Sequence, residues 1–177
     1  MRIGLSLSST HTVDHHVQHD YYQNTPTLGR LLAEWNDKPA GCLFPVPLWH
    51  PVIMAEHIGT LASIHSGPFI VQTGLGRGER QFAAMGVDVR YRPSLFEETV
   101  RVVRALLAGE TVSSERLGLA DARIGVLPPE PVEWWIGAGA EPALDRAARL
   151  GHSYYGGPGN PERAEAVLKT YHERCEK

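Results

Sequence analysis

A chain of 177 residues with 42% apolar and 21% charged side chains has the length and composition of one globular domain with a sizeable core, which excludes a disordered or fibrous chain. Its formal net charge of -3 creates no field that would gather DNA, RNA or an anionic membrane surface. No apolar run approaches the roughly 20 residues of a membrane span, and Cys42 and Cys175 stand far apart without a CxxC pairing, as expected of a reduced cytoplasmic protein.

Residues 2 to 8 carry Ile3, Leu5 and Leu7 in alternation and read as a strand rather than as a signal peptide. The following histidine-rich stretch, from His11 to Asp20, lacks apolar periodicity and reads as a loop. Thr25 or Pro26 starts a helix with Leu28, Leu31, Leu32 and Trp35 on one side, ending near Asn36. Residues 40 to 47 form a buried strand whose closing prolines deny it donors, which suits an exit into a binding loop. Pro51 begins a helix with Ile53, Ile58, Leu61, Ala62 and Ile64 on one broad face, stopped by Ser66-Gly67.

Residues 68 to 73 make a short strand, apolar enough to be buried on both faces. Ser94 and Glu97 have the spacing of a capping box ahead of Phe96, Val100, Val103 and Leu107, and Gly109 closes that helix. Residues 110 to 131 read as polar, proline-rich loop; 132 to 136 as a strand, 141 to 150 as a helix, 153 to 155 as a short strand and 161 to 176 as a last helix. Repetition of strand, helix and strand implies a parallel sheet with right-handed crossovers. Five strands are predicted, whereas a closed eightfold barrel needs eight and roughly 250 residues.

Chemistry concentrates in a few places. Gly74-Leu-Gly76-Arg-Gly78-Glu79 lets a backbone approach a flat ring or a phosphate, or is a plain glycine turn. It is not the dinucleotide fingerprint, which needs G-x-G-x-x-G opening a helix and an acid about 20 residues on. Gly137-Ala-Gly-Ala140 lies between a strand and a helix, so its amides suit a phosphate, or its glycines serve close packing.

Asp14-His15-His16-Val-Gln-His19-Asp20 offers metal-ligand types, but no H-e-x-x-H pattern or cysteine set accompanies them, and no metal is assigned. A polar loop with one functional histidine is the better reading, since imidazole trades protons near neutrality. Glu79 is its candidate acidic counterpart, or a solvated loop carboxylate. Arg77, Arg80, Arg90 and Arg92 form a basic set able to meet a phosphate or carboxylate, or a solvated basic loop. Trp134-Trp135 and Tyr154-Tyr155 read as core and rim aromatics, and no G-x-S-x-G nucleophile elbow is present.

In order along the chain, these segments resemble the bacterial-luciferase-like flavin-dependent oxidoreductases. The resemblance rests on Asp14-His15-His16 with Tyr21-Tyr22-Gln-Asn-Thr-Pro, and on Leu48-Trp-His-Pro51-Val-Ile-Met-Ala-Glu56 with Thr60-Leu61. It continues through Gly74-Leu-Gly-Arg-Gly-Glu-Arg-Gln-Phe82, Gly86-Val-Asp88, Arg92, Phe96-Glu-Glu98, Trp135-Ile-Gly-Ala-Gly139 and Ala147-Ala-Arg-Leu-Gly151.

The resemblance implies an α/β fold of the TIM (β/α)8-barrel type that binds reduced FMN, or the deazaflavin coenzyme, at the carboxyl ends of its strands. It assigns the phosphate to Gly137, Ala138, Gly139 and Ala140. The ring would lie beside the Gly41-Cys42 end of its strand, where the family often has a strained peptide, and would be bordered by Gly76, Gly78 and Glu79. His15 would give or take the proton. A monooxygenase or hydride-transfer reaction on a small organic substrate follows, with a flavin reductase as a supplier of reduced flavin and a homo-oligomer as the assembly.

The chain departs from the family in two places. Only a few residues between Ser9 and Asp14 stand where the family has a helix and most of a strand, and the last barrel strands would follow Lys177. The expectation is therefore an incomplete barrel of five or six parallel strands within one domain, residues 1 to 177. Such a chain is either an active oxidoreductase, a non-catalytic flavin-binding protein or an inactive remnant.

Overall fold

The computed structural model describes residues 39–151, 153–156 and 160–176. The strand predicted at 2 to 8, the helix at 25 to 36 and the histidine-rich loop lie outside the described residues.

Strand β1 (Ala40–Pro45) leads through a 3-10 turn (Val46–Leu48) to helix α1 (Pro51–Ile64), and β2 (Phe69–Gly74) follows. Then come a short helix α2 (Glu79–Ala84), a 3-10 turn (Val89–Tyr91), and the long helix α3 (Arg92–Leu107). A hairpin of β3 (Val112–Ser114) and β4 (Leu119–Ala122) precedes β5 (Glu133–Gly137), α4 (Glu141–Leu150), β6 (Ser153–Tyr155) and α5 (Pro161–Cys175). Strands β1, β2, β5 and β6 lie in that order in one sheet, all neighbours parallel. The βαβ reading of the sequence holds for these four strands.

One face of this sheet carries the core. Phe44, Val71, Trp134 and Ile136 are buried on it with Met54 and Ile58 of α1 and Phe96, Val100 and Val103 of α3. The face predicted for α3 is the one that packs, and Phe96, Val100, Val103 and Leu107 are all buried. Gly109 closes that helix as expected, with a positive φ of 81°. Its amide donates to Leu106 O and that of Glu110 to Ala105 O, the paired bonds of a Schellman cap. Strand β2 is buried at Phe69, Ile70, Val71 and Thr73, as its apolar run predicts.

Three local expectations are corrected. Helix α1 buries Pro51, Met54, Ala55, Ile58, Gly59 and Ala62, whereas Ile53, Leu61 and Ile64 are exposed. The helix is apolar almost all round, so periodicity does not choose its face; the stripe containing Ala55, Gly59 and Ala62 allows the closest approach to its neighbours.

The capping box of Ser94 and Glu97 does not form. Pro93 sits in the first helical turn, where its missing N–H costs nothing. The helix therefore starts earlier, and Ser94 Oγ donates to Tyr91 O at 3.0 Å. Residues 110 to 131 are not all loop, since Val112 and Leu119 anchor the β3–β4 hairpin in the core. Its strands of three and four residues are too short for alternation to stand out in the sequence. The hairpin is tied to α3 where Ser114 Oγ donates to Glu98 at 2.9 Å.

Glu97 has a different partner from the one the capping box would give it. One carboxylate oxygen accepts from Arg146 at 3.1 Å and Arg149 at 2.9 Å, joining α3 to α4. Burial pushes this carboxyl up, but hydrogen bonds and charge from Arg149 and Arg146 outweigh it and hold it below the usual carboxylate range. A carboxyl lowered in the folded state contributes stability above its ordinary pKa, and that contribution disappears as pH falls through the folded value. Glu97→Gln is expected to remove about 1 kcal/mol at neutral pH, after discounting for solvent screening. Chemical denaturation at pH 7 and at pH 3 checks this: the difference between the two proteins should shrink at the lower pH.

Candidate functional site at the carboxyl edge of the sheet

Parallel strands put their carboxyl ends on one edge, and the loops leaving that edge are where α/β proteins gather ligands. The register fixes which residues arrive there: Pro45 lies beside Gly74, Thr73 beside Ile136 and Gly137 beside Tyr155. The two glycine-bearing turns singled out in the sequence, after β2 and after β5, thus leave adjacent strands on the same edge. Buried Thr73 ties the two strands together just below it, donating from Oγ1 to Trp135 O at 3.1 Å.

After β2 the chain needs its glycines. Gly76 and Gly78 have φ of 77° and 78°, a left-handed region that disfavours other residues. A Cβ on Gly76 would stand 3.1 Å from the ring of Phe82, the buried residue that fastens α2 beneath the loop. Glu79 opens α2 and is exposed on the same edge. The short helix was not predicted; Phe82 was its only core signal. Of the basic set, Arg77 and Arg80 are exposed beside this loop, whereas Arg90 is held by Asp88 at 2.6 Å.

After β5, Ala138 is buried and anchors the turn, while Gly139 and Ala140 face outward. Helix α4 begins without a side-chain cap and with Pro142 in its first turn. Among the described residues, the amides of Gly139, Ala140 and Glu141 donate to no backbone carbonyl, and Ala143 and Leu144 already donate to Ala140 O. A Cβ added to Gly139 would meet nothing within 4 Å. The turn is an open cradle of N–H groups at a helix start, the arrangement that favours a phosphate.

Gly41 and Cys42, the strand end that the resemblance assigns to the ring, lie at the amino end of β1, paired with Ile70 and Val71 and away from the carboxyl edge. From Cys42 to Pro45 is three residues, about 10 Å at 3.3 Å per residue. The edge position belongs to Phe44, Pro45 and Val46, with Trp49 set edge-on against Phe44 at 5.1 Å. No cis peptide occurs among the described residues, and neither Gly41 nor Cys42 has positive φ. Gly41 serves packing: a Cβ there would stand 2.3 Å from Ile70 O. Burial pushes the Cys42 thiol up, away from thiolate chemistry. His15 lies outside the described residues.

Strand alternation sends the two neighbouring tryptophans to opposite faces. Trp134 is buried in the core, with the Arg104 guanidinium 4.9 Å from its ring. Trp135 is on the other face, in register with Gln72, and Gln72 is in register with Leu43. The sequence signals for this row are a lone glutamine in an apolar strand and a doubled tryptophan, and neither marks a site by itself.

A model of the luciferase-like monooxygenase family matches residues 42–177. The chain belongs to this family. It is 28% identical over 141 residues to an F420-dependent glucose-6-phosphate dehydrogenase of Kineococcus radiotolerans, covering 76% of this chain and 42% of that protein. Among solved structures, an F420-dependent secondary alcohol dehydrogenase in complex with an F420-acetone adduct is similar at a TM-score of 0.66 and 20% identity, over 76% of this chain and 43% of that one. The oxygenating constituent of 3,6-diketocamphane monooxygenase from Pseudomonas putida, in complex with FMN, is similar at 0.55 and 16%, over 76% of this chain and 42% of that one. This luciferase-like chain thus has an α/β fold with a parallel sheet, of incomplete barrel type. It spans less than half the length of the relatives it matches. Among the described residues no helix is long and apolar enough to cross a membrane.

Proposed function

We propose that this chain binds a phosphorylated flavin or 5-deazaflavin across the carboxyl edge of its sheet and belongs to an oxidoreductase acting on a small organic substrate. The observation that carries this reading is the pairing of two turns on adjacent strands: an amide cradle at 139 to 141 without backbone acceptors among the described residues, beside a loop whose Gly76 and Gly78 keep side chains out of the way. The residues fit the group, because the cradle is open at Gly139 and donates only N–H groups. Gly137 to Ala140 hold the phosphate, and Gly76, Gly78 and Pro45 border the ring.

When bound, the coenzyme supplies the hydride or electron-pair chemistry, and the protein binds, orients and protonates. His15 is assigned the proton, with Glu79 on the same edge as the loop glycines. The reading takes the protein as cytoplasmic, self-associating and supplied with reduced coenzyme by a reductase. Its relatives' names include both F420-dependent enzymes and an FMN complex, so both coenzymes are candidates.

Titration of the purified chain with FMN and with the deazaflavin coenzyme, by fluorescence quenching and thermal shift, tests the reading, because a ligand specific to the folded state raises its stability. Saturable binding of one is the expected result; no binding of either removes the proposal. Gly139→Asp locates the phosphate. The new side chain has room, so folding is kept, but its charge faces the phosphate, and FMN affinity should fall about tenfold more than riboflavin affinity, as for a loss of about 1.4 kcal/mol. Equal losses for the two ligands would place the phosphate elsewhere.

A further inference from the structure

The groove between the carboxyl ends of α3 and α4 holds a cation whose charge the fold does not match. Helix α4 follows β5 and ends at Leu150, just before β6 starts at Ser153. Because β5 and β6 are parallel, Leu150 lies toward the amino edge of the sheet, away from the glycine turns. Arg104, in the last turn of α3, reaches across to it. Its guanidinium lies 4.9 Å from the Trp134 ring, and Nη2 donates to Leu150 O, where a helix end offers roughly half a unit of negative charge.

Those contacts anchor the side chain without neutralising it. Arg101 is held by Glu98 at 2.7 Å and the buried Arg146 by Glu97 at 3.1 Å, whereas half-buried Arg104 meets no carboxylate among the described residues. Its Nε is shielded from solvent without an acceptor, and burial pushes the guanidinium pKa down. An arginine nevertheless stays charged, and a partly desolvated charge is stabilised by an anion. Unlike Nε, Nη1 is open: it makes no hydrogen bond among the described residues and is not one of the shielded atoms.

Arg104 lines a solvent-open groove of about 430 Å³ with Val100, Arg101, Ala105, Glu110 and Leu150, within the size range of small-molecule sites. Val100, Ala105 and Leu150 give it an apolar wall. Glu110 forms no ion pair with either arginine among the described residues. A phosphate, with nearly two charges, is opposed by Glu110 and by the negative ends of two helices. A ligand with one negative charge and an apolar body suits the groove better.

We propose that this groove binds a small apolar monocarboxylic acid, whose carboxylate accepts from Arg104 and whose body lies against Ala105 and Leu150. Glu110 limits the ligand to a single negative charge by repelling a second. The site stands apart from the glycine turns and does not depend on the coenzyme reading.

Titration of the purified chain with benzoate, followed through the nuclear magnetic resonance signal of the Arg104 Nε–H, tests this. Saturable movement of that signal is expected with benzoate, less with inorganic phosphate, and none with benzyl alcohol, which has the body without the charge. Arg104→Met keeps the stem but removes the charge, and should weaken benzoate binding at least about tenfold, as for the loss of a charge-assisted pair, read at the amides of Ala105 and Leu150. Glu110→Gln alters an exposed residue, keeps the fold, and should tighten benzoate binding about twofold. If Arg104→Met does not fold, the Nε–H signal and Glu110→Gln decide. No saturable movement in the unaltered chain, benzoate affinity unchanged in the variants that fold, or binding of phosphate or benzyl alcohol as tight as that of benzoate would overturn the proposal. None of these results touches the coenzyme reading.

Discussion

Phe96→Ala is expected to lower the unfolding free energy by about 3–5 kcal/mol, the range for truncating a large aromatic in a packed core. Phe96 is 1% exposed and lies on the buried face of α3 with Val100 and Val103. Its ring also supports the guanidinium of Arg146, 5.7 Å away. Arg146 is the partner of Glu97, so removing the ring takes the floor from the ion pair that joins α3 to α4. Urea denaturation with the slope held in view would check this, since a core cavity shifts the midpoint and leaves the slope unchanged. A loss below about 1 kcal/mol would mean that α3 does not pack as described.

Gly41→Val should be comparably severe, for a reason that concerns the sheet rather than the core. A Cβ at this position would stand 2.3 Å from the carbonyl oxygen of Ile70 and 3.0 Å from its Cβ. The obstacle includes backbone of the paired strand, which cannot turn aside as a side-chain tip can. The register Gly41 to Ile70 therefore has to open, and β1 with it, at a cost of about 3 kcal/mol or more. Hydrogen exchange of the amides of β1 and β2 is the most direct measurement, with protection lost there before it is lost in α3. Gly41→Ala should show the same effect, because the first carbon makes the clash. An alanine variant as stable as the unaltered protein would show that this pair of strands lies farther apart.

Much of the fold can be read in the chain. Pro51, Gly109 and Asn160-Pro161 mark helix ends with residues that act through their own backbone or nearest amides, and the side chain of Asn160 does cap α5, accepting from the Arg163 amide at 2.8 Å. Local chemistry of that kind is independent of the rest of the molecule. Where several partners competed, the sequence reading failed. Glu97 had the spacing of a capping residue, but two arginines from α4 offered it stronger, charge-assisted bonds. Helix α1 had apolar residues on every side, so its buried face was settled by the neighbours it had to approach. The hairpin of β3 and β4 depends on two buried residues, Val112 and Leu119, in strands too short for any period to emerge.

The candidate site divides along the same line. The glycine turns at 74 to 78 and 137 to 140 were legible because glycine acts where it stands, freeing backbone amides and accepting positive φ. Their placement on one edge followed from the parallel order of strands. What the sequence could not supply was the register between strands: the pairing of β1 with β2 sets Gly41 and Cys42 against Ile70 and Val71, and brings Phe44 and Pro45 to the edge beside Thr73 and Gly74. Nor could it say which of Trp134 and Trp135 enters the core, or that Trp135 stands in register with Gln72. By itself the sequence determined the family, the βαβ order and the two phosphate- or ring-compatible turns, since these are properties of neighbours along the chain. The tertiary structure alone decided which residues share an edge or a face, because strand pairing joins residues some thirty or sixty positions apart, and a shift of one residue reverses the face that every side chain of a strand presents.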